Sequence, residues 1–270
     1  MKPFIKWAGG KTRILDQLRI FYPDFTEVHS YYELFLGGGA VGLSLLPHSP
    51  IEKFTFNDLN RELILTFRAI KSDVMGLIRK LDGLTVLFNA SDEEGRINYY
   101  YKIRDLYNKQ FKPEYFIFLN KLCYNGLYRV NSKGEFNVPL NKRKKIPMSL
   151  YNRKELIEVA AWLNRCQVNL TAKDFTEFNL GPSDFVYLDP PYEGTFKGYT
   201  PDPSPILLKT KKFVESVDKN GGKFMLSNSH TIQVLEIFKD YNIHKIYAPR
   251  TISRDVNKRG SVKEVVITNY

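Results

Sequence analysis

A chain of 270 residues and 31.4 kDa has room for one large domain, or one domain carrying an insertion, and its composition (43% hydrophobic, 26% charged) excludes a disordered tail or a fibre. Forty Lys and Arg against 29 Asp and Glu leave a net charge of +11, which favours a polyanionic partner. No apolar run nears the roughly 20 residues of a membrane helix, and Met1-Lys2-Pro3-Phe4-Ile5-Lys6 lacks an apolar signal core, so a cytoplasmic protein is expected.

In chain order, an apolar strand over 31–36 runs into glycines that open a helix reaching about residue 46. A second strand at 54–57 precedes a helix from about residue 59, which makes a βαβ start. The pattern then changes. Helical spacing recurs near 60–81, 92–110 and 113–123, followed by a turn-rich basic stretch and a helix near 152–164. Alternation returns with strands near 167–171 and 184–188, a helix near 206–219, a strand at 223–227, a helix at 230–239, and strands near 243–248 and 262–268. The expected architecture is a mostly parallel α/β domain, 1–57 plus 166–270, interrupted by a mainly helical insertion at 58–165.

Chemistry enters with Phe35-Leu36-Gly37-Gly38-Gly39-Ala40-Val41-Gly42 at the first strand-to-helix turn. Gly37, Gly39 and Gly42 satisfy G-x-G-x-x-G, where missing Cβ atoms let backbone approach a ligand. Asp58, at the end of the next strand, is placed to accept ribose hydroxyls. This pair points to a nucleoside-containing cofactor without separating NAD from S-adenosylmethionine. The second motif decides between them. Phe185-Val186-Tyr187-Leu188 leads straight into Asp189-Pro190-Pro191-Tyr192. An exocyclic amine on a nucleobase is a poor nucleophile because its lone pair is delocalised into the ring. The Asp189 carboxylate and the Pro190 carbonyl can each accept one amine hydrogen and favour a pyramidal nitrogen aimed at a methyl donor. Tyr192 offers a face on which an extruded base can stack. Near the start, Trp7 in Lys6-Trp7-Ala8-Gly9-Gly10-Lys11 could cover a cofactor adenine and Lys11 could meet its carboxylate.

With these motifs the chain resembles the Dam family of DNA adenine-N6 methyltransferases, in the arrangement where the Lys-Trp-Ala-Gly-Gly-Lys motif and glycine turn come first and Asp-Pro-Pro-Tyr last. The likeness runs from Phe4 to the terminal Glu264-Val265-Val266-Ile267-Thr268-Asn269-Tyr270. It implies a Rossmann-like core using S-adenosyl-L-methionine, an inserted target-recognition domain and a double-stranded DNA substrate. The family's cofactor contacts fall on Trp7, Lys11, Phe35, the glycines, Asp58, Asp174 and Asp189. Glu33 stands where the family more often has Asp.

The insertion carries Cys123-Tyr124-Asn125-Gly126-Leu127-Tyr128-Arg129-Val130-Asn131 and then Lys133-Gly134-Glu135-Phe136-Asn137-Val138-Pro139, with two turn signals that read as a hairpin or ordered loop. Lys142-Arg143-Lys144-Lys145 follow and suit phosphate contacts. Family members acting on GATC share this pattern. The resemblance implies that Leu127, Arg129 and Pro139 read bases, that Tyr124 enters the stack vacated by the adenine, and that Lys6 reads an outer base. Asn125 and Asn131 complete the expected DNA-contacting set. Arg129 can bind a guanine edge bidentately, while Leu127 and Pro139 can touch a thymine methyl.

Several alternatives compete. Cytosine-C5 methylation needs a cysteine nucleophile, typically after proline, whereas Cys123 follows Leu122 and Cys166 follows Arg165. Cytosine-N4 methylation uses the same amine chemistry and is the nearest rival. A dehydrogenase would leave Asp-Pro-Pro-Tyr unexplained, and a silent DNA-binding module would not need Asp58, Asp189 and Tyr192. The four scattered histidines show no ligand spacing, so no metal is expected. A cognate restriction endonuclease is a possible partner.

Overall fold

The computed structural model describes residues 1–141, 149–192, 203–249 and 261–270. The strands are β1 (Ser30–Glu33), β2 (Lys53–Asn57), β3 (Gln167–Thr171), β4 (Asp184–Leu188), β5 (Lys223–Ser229), β6 (Asn242–Pro249) and β7 (Ser261–Thr268). The helices are α1 (Leu15–Arg19), α2 (Ala40–Leu45), α3 (Arg61–Ala90), α4 (Glu93–Lys109), α5 (Pro113–Leu122), α6 (Arg153–Arg165), α7 (Pro205–Lys219) and α8 (Ile232–Ile237). They fall into two compact units. One comprises Met1–Gly10, Gly37–Pro47 and Asn60–Arg165; the other comprises Lys11–Leu36, His48–Leu59 and Cys166–Tyr270. Met1–Gly10 and Gly37–Pro47, which the sequence reading placed with the α/β block, thus cluster with 60–165.

The second unit is built on one seven-stranded sheet in the order β3-β2-β1-β4-β5-β7-β6. The first five strands pair in parallel, and β7 lies antiparallel to both β5 and β6. This is the mixed, Rossmann-like α/β architecture expected. Strand order reverses direction at β1 and β4, and in such sheets the crevice at the carboxyl ends of the strands at that point takes the ligand. Parallel strands buried on both faces read as continuous apolar runs, which explains why Phe185-Val186-Tyr187-Leu188 is legible as β4; all four residues are buried. Leu207, Phe213, Val214 and Val217 of α7 and Val234 of α8 close a core with Val186, Leu188, Phe224 and Leu226.

The first unit is helical. Asn60 caps α3 by accepting from the Leu63 N–H at 3.0 Å. The helix expected over 60–81 continues to Ala90 but breaks at Asp73, whose φ/ψ of −151°/71° leaves the helical region. The Asp73 carboxylate then accepts from the Gly76 N–H at 2.8 Å and restarts the helix. A Cβ at residue 76 would fall 1.9 Å from Asp73 Oδ2, so a side chain there would make the carboxylate turn from its present position. Apolar faces of α3, α5 and α6 pack through Phe67, Ile70, Ile117, Phe118, Val159 and Leu163, all buried.

The segment after α5 forms a closed loop instead of a regular ladder. Isolated antiparallel bridges join Cys123 to Leu140 and Val130 to Phe136, and a turn closes with Gly134 N–H donating to Asn131 O at 3.0 Å. Gly134 holds φ +79°, a region favouring glycine. Other backbone pairs cross the loop, Tyr124 N–H to Pro139 O at 2.9 Å and Asn137 N–H to Arg129 O at 3.1 Å among them, and side chains from neighbouring helices satisfy further backbone groups. Asn108 accepts from Phe136 N–H at 2.8 Å and donates to its carbonyl at 3.1 Å. Tyr100 donates to the Val138 carbonyl at 2.9 Å. Asn120, 4% exposed, accepts from Lys6 N–H at 3.0 Å and donates to the carbonyls of Lys6 at 2.8 Å and Gly126 at 3.2 Å.

Candidate active site

In the sheet unit, Asp189 is the first residue past β4, at the carboxyl edge beside the β1–β4 switch point. Its Oδ2 lies 2.7 Å from the Lys11 ammonium, and the two side chains are 18% and 7% exposed. A lysine is buried this deeply only when paired. Its partner Oδ1 is buried and accepts no hydrogen bond among the described residues. Desolvation raises the Asp189 carboxyl above its ordinary value, while the Lys11 ammonium and the Tyr192 hydroxyl pull it back. Tyr192 donates to Glu264 of β7 at 2.8 Å, and Lys11 Nζ stands 4.8 Å from its ring centroid. Burial, reinforced by Asp189 and Glu264, pushes the phenol far above its usual range, so it stays a donor. Pro190 is buried behind them. Glu264 lies in the terminal strand, and nothing in the residue string assigns it to Tyr192.

The neighbouring strand ends carry further acids. Asp58 directly follows β2, half-buried, its N–H donating to Thr171 O at 3.3 Å. Asn57, fully buried, fixes this edge: its amide donates to the Leu34 and Lys173 carbonyls at 3.1 Å each, and accepts from the Thr171 hydroxyl at 2.8 Å and Lys173 N–H at 3.0 Å. One side chain thereby clips β1, β2 and β3 together and sets the positions of Asp58 and Asp174. Sequence reading missed it, although a polar residue closing an apolar strand was the available signal. Asp174 itself caps the turn Phe175–Glu177, accepting from Thr176 N–H at 3.0 Å and its hydroxyl at 2.7 Å, and these bonds hold its carboxyl below the ordinary value. Phe35 packs its ring on Phe175 with centroids 5.0 Å apart. Glu33 is 2% exposed and accepts from the Tyr31 hydroxyl at 3.1 Å.

In the helical unit, Gly37 and Gly39 hold φ of +50° and +72°. A Cβ at Gly37 would stand 2.6 Å from Trp7 Cδ1, so only glycine admits the indole there. The half-buried Trp7 stacks on Tyr128, centroids 5.9 Å apart and planes 19° apart. The closed loop exposes Tyr124 (51%). It also exposes Pro139, while Lys6 is exposed in the same unit. Arg129 is exposed too, with Nε donating to the Asn137 side chain at 2.7 Å. Leu127 is half-buried. Asn125 adopts φ +56°, which asparagine tolerates better than most residues. Asn131 is committed to the loop, accepting from Lys133 and Glu135 N–H groups at 2.9 and 3.0 Å. Lys142, Arg143, Lys144 and Lys145 lie outside the described residues. Among the described residues no cluster of His, Cys, Asp or Glu could hold a metal ion, and no helix is long and apolar enough to cross a membrane.

A family model described as D12 class N6 adenine-specific DNA methyltransferase matches residues 7–252. The chain belongs to this family. Among curated relatives, the Type II methyltransferase M.MjaIII of Methanocaldococcus jannaschii is 38% identical, over 100% of this chain and 99% of its own length. The Type II methyltransferase M1.LlaDCHI of Lactococcus lactis subsp. cremoris is 32% identical, over 100% and 96%. The DNA adenine methylase of Haemophilus influenzae is 31% identical, over 98% and 92%. Among solved structures, precorrin 8w decarboxylase of Methanobacterium thermoautotrophicum aligns with a TM-score of 0.41 at 12% identity, covering 99% of this chain and 97% of that one. Membership makes DNA the substrate and S-adenosyl-L-methionine the methyl donor. The residues present fit that donor. In the sheet unit the half-buried carboxylates of Asp58 and Asp174, set by the Asn57 bonds at the strand ends, suit the hydroxyl and amine donors of its nucleoside.

Proposed function

We propose that this member of the family methylates adenine N6 at GATC in double-stranded DNA, on a base rotated out of the duplex, by direct transfer with no covalent enzyme intermediate. The observation that carries the reading is the buried, unengaged Oδ1 of Asp189 beside an Oδ2 neutralised by Lys11. A buried acceptor without a donor is costly, and a protein retains it where a ligand supplies the hydrogen. An adenine amine presents two hydrogens, one for Asp189 and one for the Pro190 carbonyl. Accepting both shifts the nitrogen toward the pyramidal form that can attack. Tyr192 offers its ring to the extruded base and is steadied by Glu264. S-adenosyl-L-methionine, when bound, supplies the electrophilic methyl group. Trp7, Lys11, Phe35, Gly37, Gly39, Asp58, Asp174 and Asp189 would hold it.

Residues 58–165 serve in this reading as the DNA-recognition insertion, and 1–57 with 166–270 as the catalytic core. Lys6, Tyr124, Asn125, Leu127, Arg129, Asn131 and Pro139 face DNA, with Lys142, Arg143, Lys144 and Lys145 on phosphates. The Type II names of two relatives support pairing with a cognate restriction endonuclease. The test is transfer of labelled methyl to unmethylated duplexes carrying GATC or the same bases permuted, with the modified base identified afterwards. N6-methyladenine in GATC alone is expected. Label on cytosine N4 would sink the adenine chemistry, and equal label in both duplexes would sink the GATC assignment. Arg129→Ala should cost roughly 1–3 kcal/mol of discrimination at one base pair. A uniform loss on all duplexes would make Arg129 a phosphate contact.

A further inference from the structure

Tyr128 sits between two residues assigned to base reading, Leu127 and Arg129, yet it does not share the exposure of Arg129. Its ring stacks on Trp7 at 5.9 Å and contacts Phe116 and Phe136 at 5.9 and 6.0 Å. Its hydroxyl donates to Glu62 Oε2 at 2.8 Å, and the same oxygen accepts from Tyr107. The indole it touches is also confined by Gly37, where no Cβ fits. Trp7 follows Lys6, whose backbone Asn120 clamps and whose Cβ abuts Gly126, so that a Cβ on Gly126 would come within 2.4 Å. The dipeptide Lys6-Trp7 is thus fastened to the loop at two points, the amide clamp and the ring stack.

We propose that Tyr128 is a positioning residue that couples the base-reading loop to Trp7, so that a cognate duplex and S-adenosylmethionine bind cooperatively. This rests on the reading that Leu127 and Arg129 contact bases and that Trp7 covers the cofactor. Close-packed rings transmit displacement because they have discrete arrangements instead of continuous slack. Binding of a duplex that seats Arg129 shifts Tyr128, and the stacked indole follows. Linkage makes the effect reciprocal: whatever factor the duplex adds to cofactor affinity, the cofactor adds to duplex affinity.

The test uses S-adenosylhomocysteine as an unreactive probe, titrated by calorimetry into the full chain with and without a duplex that the enzyme methylates. The methylated duplex should tighten binding by about 5-fold or more and a permuted duplex should not. Tyr128→Ala should bring that factor to about one, and Tyr128→Phe, which keeps the ring, should restore it. Trp7 and Trp162 are the chain's two tryptophans, so Trp162→Phe leaves Trp7 as sole reporter. Duplex should change its emission with Tyr or Phe at 128 and not with Ala. Should Tyr128→Ala fail to fold, Tyr128→Leu preserves apolar volume without the stack. Full cooperativity in the folded Ala or Leu variant, or none in the unmodified protein, overturns the proposal. If Arg129→Ala leaves base discrimination intact, the base-reading assignment fails separately.

Discussion

Two regions of the molecule solve opposite problems. Around Asp189 the backbone is held by the sheet, and side chains are free to be charged, buried and chemically specialised. Lys11, Asp189, Tyr192 and Glu264 form a chain of ion pair, ring contact and hydrogen bond at the strand ends. In the loop that follows α5, backbone pairing is confined to isolated bridges and a few cross-loop bonds, and side chains are spent on holding the rest of the backbone. Asn108, Asn120 and Tyr100 make those bonds from neighbouring helices, which leaves Tyr124 and Arg129 pointing to solvent. The contrast predicts that removing one side chain costs rate in the first region, with stability where a buried ion pair is broken, and stability in the second.

The hardest blow to the first region is Asp189→Ala. In the proposed role, loss of the amine acceptor should lower methyl transfer by about three orders of magnitude or more, about 4 kcal/mol of barrier. Because it also strands the buried Lys11 ammonium it should cost stability as well, so transfer is compared at a temperature where the variant is folded. Near-normal turnover would end the catalytic assignment. In the second region the counterpart is Asn120→Ala. It leaves the N–H and carbonyl of Lys6 and the carbonyl of Gly126 without their partner, and should cost about 3 kcal/mol in urea denaturation. A loss of only a few tenths would show that the loop is held by packing alone.

Lys11→Met displaces activity along the pH axis. In the proposed mechanism amine acceptance requires the carboxylate, so activity should fall as pH drops through the Asp189 value, which burial has raised above the ordinary 3.8. Removing the ammonium that lowers that value must raise it further. The acid limb of kcat should therefore move to higher pH. An unmoved limb would assign it to another group.

These effects show which features a residue string discloses. β4 is legible because four consecutive apolar residues end in Asp-Pro, and the glycine turn because positive φ selects its residue type. The α/β alternation follows from helical and strand periods. β7 between β5 and β6 is not legible, since no local pattern sets the order of strands. Nor is the Lys11–Asp189 pair, which joins opposite ends of the chain. The break at Asp73 hid inside a continuous helical period, because the capping carboxylate costs the pattern only one residue. Asn57 and Asn120 look like ordinary polar residues until their four and three hydrogen bonds are counted.

The smallest expected effect separates two roles on one side chain. Asp174 caps its turn through Oδ1 and is proposed to face the cofactor. Asparagine caps as well as aspartate, so Asp174→Asn should leave stability within a few tenths of a kcal/mol. Alanine removes the cap and should cost about 1 kcal/mol. If the cofactor needs only a hydrogen-bond acceptor at this position, KM for S-adenosylmethionine should be unchanged in the Asn variant and raised in the Ala variant. If it needs the negative charge, both variants should raise KM together while only Ala loses stability. Unchanged KM in both would leave Asp174 a capping residue, with the acid of the cofactor pocket confined to Asp58 and Asp189.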